Sequence, residues 1–60
     1  MKTTLYKDEN GNLWYYEGKE DNYHKVVVID YEDGCYIFTQ ITWYFTDAEF
    51  NKLTKIEVEA

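Results

Sequence analysis

The chain lacks arginine, proline and a second cysteine, and each gap closes off a class of protein. Without arginine, and with six lysines set against twelve carboxylates, there is no basic face to grip a nucleic acid. A net charge of −6 repels a phosphate backbone, so direct nucleic-acid binding is not expected. Cys35 has no partner for an intrachain disulfide, and with His24 alone it cannot complete a four-ligand zinc site. No metal and no cofactor are expected. No run approaches the roughly eighteen apolar residues of a membrane span, and residues 1–11 lack the apolar stretch of a secretory signal. An unpaired thiol also suits a reducing compartment, so the expected location is cytoplasmic. With no proline, repeat or low-complexity tract there is no linker, and residues 1–60 form one domain.

So short a chain buries only about 60% of the surface its unfolded form exposes. Stability must then come from an efficient core, from association, or from both. The abundant resource is aromatic: twelve of the sixty residues are Phe, Trp or Tyr. Two glycine-bearing turns, Asp8–Asn12 and Tyr31–Cys35, punctuate the chain. They predict strands near residues 3–8, 12–17, 23–31 and 35–45, joined as two hairpins. Thr54–Glu59 alternates as a final edge strand would. Before it, Thr46 and Glu49 spell a capping box, with Phe45 and Phe50 placed as a hydrophobic staple. A helix of about two turns is expected there, carrying Phe50 and Leu53 on one side.

Either hairpin can close through a three-residue loop or a two-residue turn. With three-residue loops in both, Leu5 faces Tyr15, Ile29 faces Ile37, Val27 faces Thr39 and Tyr23 faces Trp43. That odd-numbered face, with Leu13, Ile41 and Phe45, is then the expected core. The even face shows Tyr6, Trp14, Tyr16, Val26, Val28, Tyr36, Phe38 and Tyr44, where a half-exposed sheet should show polar residues. Two architectures accommodate two greasy faces. The favoured one is a β-rich α+β fold, a curved five-stranded antiparallel sheet with one short helix before the last strand. The other curls the strands into an SH3-like barrel. In the open form Trp14, Tyr16, Tyr36, Phe38 and Tyr44 make an exposed patch, and pairing two such faces gives the expected homodimer, with Phe38, Tyr36 and Tyr44 at its interface.

Catalytic candidates are thin. His24 is the chain's one imidazole, a common general acid or base, but this register puts it near Thr42, far from Cys35. Cys35 follows Glu32 and Asp33, whose charges oppose a thiolate. The paired acids lie mostly in turns, and Asp33-Gly34 lacks the alternating ligands of a calcium loop. A non-enzymatic protein is expected. Glu57 and Glu59 project to one face about 6–7 Å apart, a spacing that approximates a line of phosphates. Solubility alone also accounts for such acids.

Asn10–Glu17, followed later by Thr46–Phe50, resembles the phage inhibitors of uracil-DNA glycosylase. In size, charge and aromatic content the whole chain resembles the wider group of small acidic phage inhibitors, anti-CRISPR proteins and DNA mimics among them. The resemblance implies a viral protein-binding inhibitor aimed at a basic host nuclease or other defence protein, acting in the host cytoplasm. The expected partner contacts are Trp14, Tyr16, Tyr36 and Tyr44, rimmed by Asp30, Asp33, Glu57 and Glu59. The alternative expectation is a small structural or regulatory module that assembles with a larger partner.

Overall fold

The computed structural model describes residues 1–59. Five strands, β1 (Lys2–Lys7), β2 (Leu13–Glu20), β3 (Tyr23–Glu32), β4 (Cys35–Phe45) and β5 (Thr54–Glu59), form one antiparallel sheet. A single helical turn, α1 (Asp47–Phe50), precedes β5. The spatial order is β4-β3-β2-β1-β5, so the edges are β4 and β5. The expected curved sheet is present. Among the described residues no ladder joins β4 to β5, so it does not close into a barrel.

The first hairpin keeps the expected three-residue loop register: Tyr6 faces Trp14 and Lys7 faces Leu13. The Asp8 carboxylate sets it, accepting the Asn10 and Asn12 backbone N–H groups at 3.0 and 2.8 Å and the Asn12 side chain at 3.0 Å. The second hairpin departs from the three-residue expectation. Asp33 and Gly34 both take positive φ, 52° and 78°, and make a two-residue turn with Glu32 opposite Cys35. Such a turn matches the twist of the flanking strands, and only glycine, Asn or Asp takes it cheaply. Ile29 therefore faces Phe38, not Ile37.

The register shifts again between Val27 and Ile29. Residues 39–41 stand opposite Val28 alone, and Val27 then faces Thr42. The Thr39 hydroxyl holds this bulge, donating to the Val28 carbonyl at 2.8 Å and accepting the Ile41 N–H at 3.1 Å. A second bulge lies between Tyr16 and Gly18 of β2, where Gly18 takes a φ of 126° open only to glycine. Beyond Trp14 no ladder continues between β1 and β2. A hollow of about 430 Å³ opens there, lined by Lys2, Thr3, Thr4, Tyr6, Tyr15, Tyr16 and Lys55.

These shifts redistribute the two faces. Tyr6, Trp14, Tyr16 and Val26 of the central strands lie beneath α1 together with Phe45 and Phe50. The opposite face carries Leu5, Leu13, Tyr15 and Ile29, with Phe38 against Tyr15. The core is thus divided by the sheet. Among the described residues only Leu5, Val26 and Ile29 are buried, and Val26 belongs to the even-numbered set.

The helix is one turn, not the two expected. The capping box forms: the Thr46 hydroxyl accepts the Glu49 N–H, and the Glu49 carboxylate accepts the Thr46 N–H at 2.9 Å. After Asn51, however, Lys52 and Leu53 bond back three residues, to Glu49 and Phe50, so the helix tightens and stops. Phe45 and Phe50 each grip the sheet separately. Phe45 meets Trp14 edge-on at 5.0 Å, while Phe50 meets Tyr6, Tyr16 and His24.

Candidate protein-binding surface

Strand β4 is where the sheet meets solvent. Residues 35–45, CYIFTQITWYF, contain no charged side chain, whereas every other strand carries at least two. Ile37, Phe38, Ile41, Trp43 and Tyr44 are exposed, by 41, 48, 61, 55 and 46%. The partner residues in β3 sort β4 into faces, because directly opposed residues project to the same side. Tyr36, Phe38 and Tyr44 oppose Tyr31, Ile29 and Lys25 and share one side. Ile37, Trp43 and Phe45 oppose Asp30, Val26 and His24 and share the other. The first side is the broader aromatic one, with Tyr31 against Tyr36 at 4.8 Å and Tyr44 beside Tyr23.

The expected contact residues do not all meet. Tyr36, Phe38 and Tyr44 gather on β4, and Asp30 and Asp33 lie exposed at its hairpin end. Trp14 and Tyr16 do not join them. They lie half-buried on the opposite face, under α1, and so the single five-residue patch expected for face-to-face dimerisation does not exist. The cause is the altered register of β4, which moved Tyr36 and Phe38 to the face of Ile29. Glu57 and Glu59 lie exposed on β5, the other edge. Curvature nevertheless brings Glu59 back to the second turn, where it lines a hollow of about 280 Å³ with Gly34, Cys35 and Tyr36. Its carboxylate also meets the terminal ammonium of Met1 at 3.5 Å.

Ile37, Ile41 and Trp43, assigned to the core by the three-residue register, are exposed instead. The charge-free run of eleven residues was the sequence signal that could have marked them.

His24 does not lie near Thr42; it faces Phe45 and stacks on the Phe50 ring, 4.3 Å between centroids at 7°. Its Nε2 meets Asp47 Oδ1 at 2.5 Å, and its Nδ1 meets the Tyr16 hydroxyl at 3.1 Å. A carboxylate only accepts, so Nε2 carries the proton. In the neutral ring Nδ1 then accepts from the Tyr16 hydroxyl. Hydroxyl, imidazole and carboxylate stand in the order of a relay, but Tyr16 is wedged between Tyr6 and Phe50. The series acts as a strut that ties α1 to β2 and β3. Cys35 is exposed at the start of β4. Among the described residues no three metal-ligating side chains gather, and no helix is long and apolar enough to cross a membrane.

Three carboxylates are held below their ordinary values. Asp47 is lowered from 3.8 chiefly by the hydrogen bond from His24, then by the charge of Lys19. Glu49 is lowered from 4.5 by the Thr46 backbone and hydroxyl, and Asp8 from 3.8 chiefly by the Asn12 side chain. A depressed folded pKa stabilises the fold fully above the ordinary value and loses that contribution as pH falls through the folded one. The thermal midpoint should therefore hold level down to about pH 5 and drop below about pH 4. Asp47→Asn, which still accepts from His24, should lower the midpoint at neutral pH and flatten its acid limb. A midpoint that stays constant to about pH 2 would refute this account.

No family model matches the chain, and no curated protein and no solved structure matches it either.

Proposed function

We propose that the chain is a non-enzymatic protein-binding inhibitor that docks a larger protein on the aromatic side of β4. The observation that carries this reading is the concentration of aromatic surface on one side of the sheet, Tyr36, Phe38 and Tyr44 of β4 with Tyr31 of β3, and the exposed acids Asp30 and Asp33 at the hairpin end. Tyrosine and phenylalanine supply contact area at little entropic cost, and a few such anchors dominate an interface. The acidic rim steers the chain toward a basic partner. A host nuclease or other defence protein, met in the host cytoplasm by a phage-encoded inhibitor, has that charge. In this reading Glu57 and Glu59 contribute to the field, while Trp14 and Tyr16 support the fold from beneath α1.

The test is affinity capture from a bacterial lysate, with the retained protein identified by mass spectrometry, purified and titrated. Phe38→Ala with Tyr44→Ala should weaken binding to it by tenfold or more, on the order of 1.4 kcal/mol. Binding should also weaken several-fold as ionic strength rises. If nothing is retained at moderate salt, or the double variant binds as well as the wild type, the reading fails. The uncharged edge of β4 also suits a structural module that adds a strand to a larger partner's sheet. That alternative predicts binding indifferent to salt.

A further inference from the structure

We infer that β4 pairs edge to edge with β4 of a second copy, antiparallel about a two-fold axis beside Gln40, to make one sheet of twice five strands. The proposal concerns the main-chain edge of β4, whereas the docking surface above concerns its aromatic side. Three observations converge on a second copy as the occupant.

The first is position and chemistry. β4 ends the strand order, so among the described residues no strand pairs with the main-chain donors and acceptors on the side turned away from β3. Soluble proteins guard such an edge with charge, proline or distortion. The other edge, β5, is guarded by Lys55, Glu57 and Glu59. β4 has no charge and no proline, only the bulge at residues 39–41.

The second is symmetry. The bulge has a regular four-residue segment on either side, Cys35–Phe38 and Thr42–Phe45. An axis beside Gln40 sets one bulge against the other and each regular segment against its complement. Ile37 then faces Trp43 of the second copy, Tyr36 faces Tyr44, and Phe38 faces Thr42. In each pair both residues belong to the same side of the sheet, as directly opposed strand neighbours must. A two-fold contact needs one self-complementary patch, and this strand is one.

The third is charge. Two copies at −6 each repel, and a partner rich in lysine would find no carboxylate on this strand to meet. A second β4 brings an equally neutral edge, so no acid is forced against another within the ladder. Association also relieves a core with only three buried side chains among the described residues. The five exposed side chains, each roughly half free, present on the order of 500 Å² per copy. Pairing covers part of that, less than the roughly 800 Å² per partner of a standard interface, so the dimer should separate on dilution. Both aromatic sides stay open, and the docking surface is displayed twice across the axis.

The experiment is sedimentation equilibrium and light scattering of the purified chain across a dilution series. The expected result is twice the 7.3 kDa chain mass at high concentration, falling toward 7.3 kDa on dilution. Ile37→Lys with Trp43→Lys sets lysine against lysine at two places across the axis. Both positions are exposed, so the fold should persist by circular dichroism, and the net charge falls in magnitude, which relaxes general repulsion. Dimerisation should weaken at least tenfold. Mixing this variant with Ile37→Glu, Trp43→Glu should restore pairing, as a heterodimer. A wild type monomeric at millimolar concentration, or a dimer indifferent to the lysines, would overturn the pairing. So would a mixture that does not recover. A monomer that still captures its target would sink the pairing and leave the docking surface standing. A dimer that captures nothing would do the reverse.

Discussion

Leu5→Ala should destabilise the fold by about 3 kcal/mol, more than any other single truncation to alanine. Leu5 is wholly shielded from solvent, in a strand flanked by β2 and β5, with Ile56 opposite it. Removing three heavy atoms there loses their transfer free energy and leaves a cavity that the strands on either side cannot easily close. A sixty-residue domain has on the order of 3–9 kcal/mol of stability in all, so this change takes a large share of it. Urea unfolding followed by tryptophan fluorescence should show the midpoint falling by about 2 M or more, with an unchanged slope. A loss below about 1 kcal/mol would mean that β1 does not anchor the core as described.

Phe50→Ala is the second large effect, and it works through the helix. A single turn cannot hold itself together in water, so α1 persists only because its cap and its ring are anchored. The Phe50 ring lies 4.8 Å from both Tyr6 and Tyr16 and stacks on His24. Truncation removes all three contacts and loosens the His24–Asp47 hydrogen bond that α1 brings to the sheet. Phe50 is half-buried, so the expected loss is about 2–3 kcal/mol, below that of a fully enclosed phenylalanine. In a domain of this size that lowers the melting temperature by roughly 10–20 °C. Phe50→Leu should recover more than half of the loss. Thr46→Ala, which removes only the cap, should cost about 1 kcal/mol. If the cap proves more costly than the ring, α1 is held by its own hydrogen bonds and not by the sheet.

The strands, both hairpins and the capped helix were legible in the sequence because each rests on chemistry within a few residues. Asp8 to Asn12 close their own loop, Asp33-Gly34 turns at positive φ, and Thr46 with Glu49 caps one turn. Tyr36, Phe38 and Tyr44 were singled out as surplus aromatics of an even-numbered face, and the structure puts them on the opposite face from Trp14 and Tyr16. The placement of Trp14, Tyr16, Ile37, Ile41 and Trp43 was not legible. Side chains alternate with a period of two, so one residue of register sends a whole strand segment to the other face. In β4 the two-residue turn decided that residue, while the bulge held by the Thr39 hydroxyl adds two residues and so slides Thr42–Phe45 along β3 without changing their faces. His24 shows the same limit. Tyr16, His24 and Asp47 come from three separate elements, and their sequence spacing implies nothing until α1 lies on the sheet. Sequence by itself determined which segments are strands and where they turn. Tertiary structure alone decided which residues each face buries, because that depends on bonds between strands that are distant along the chain.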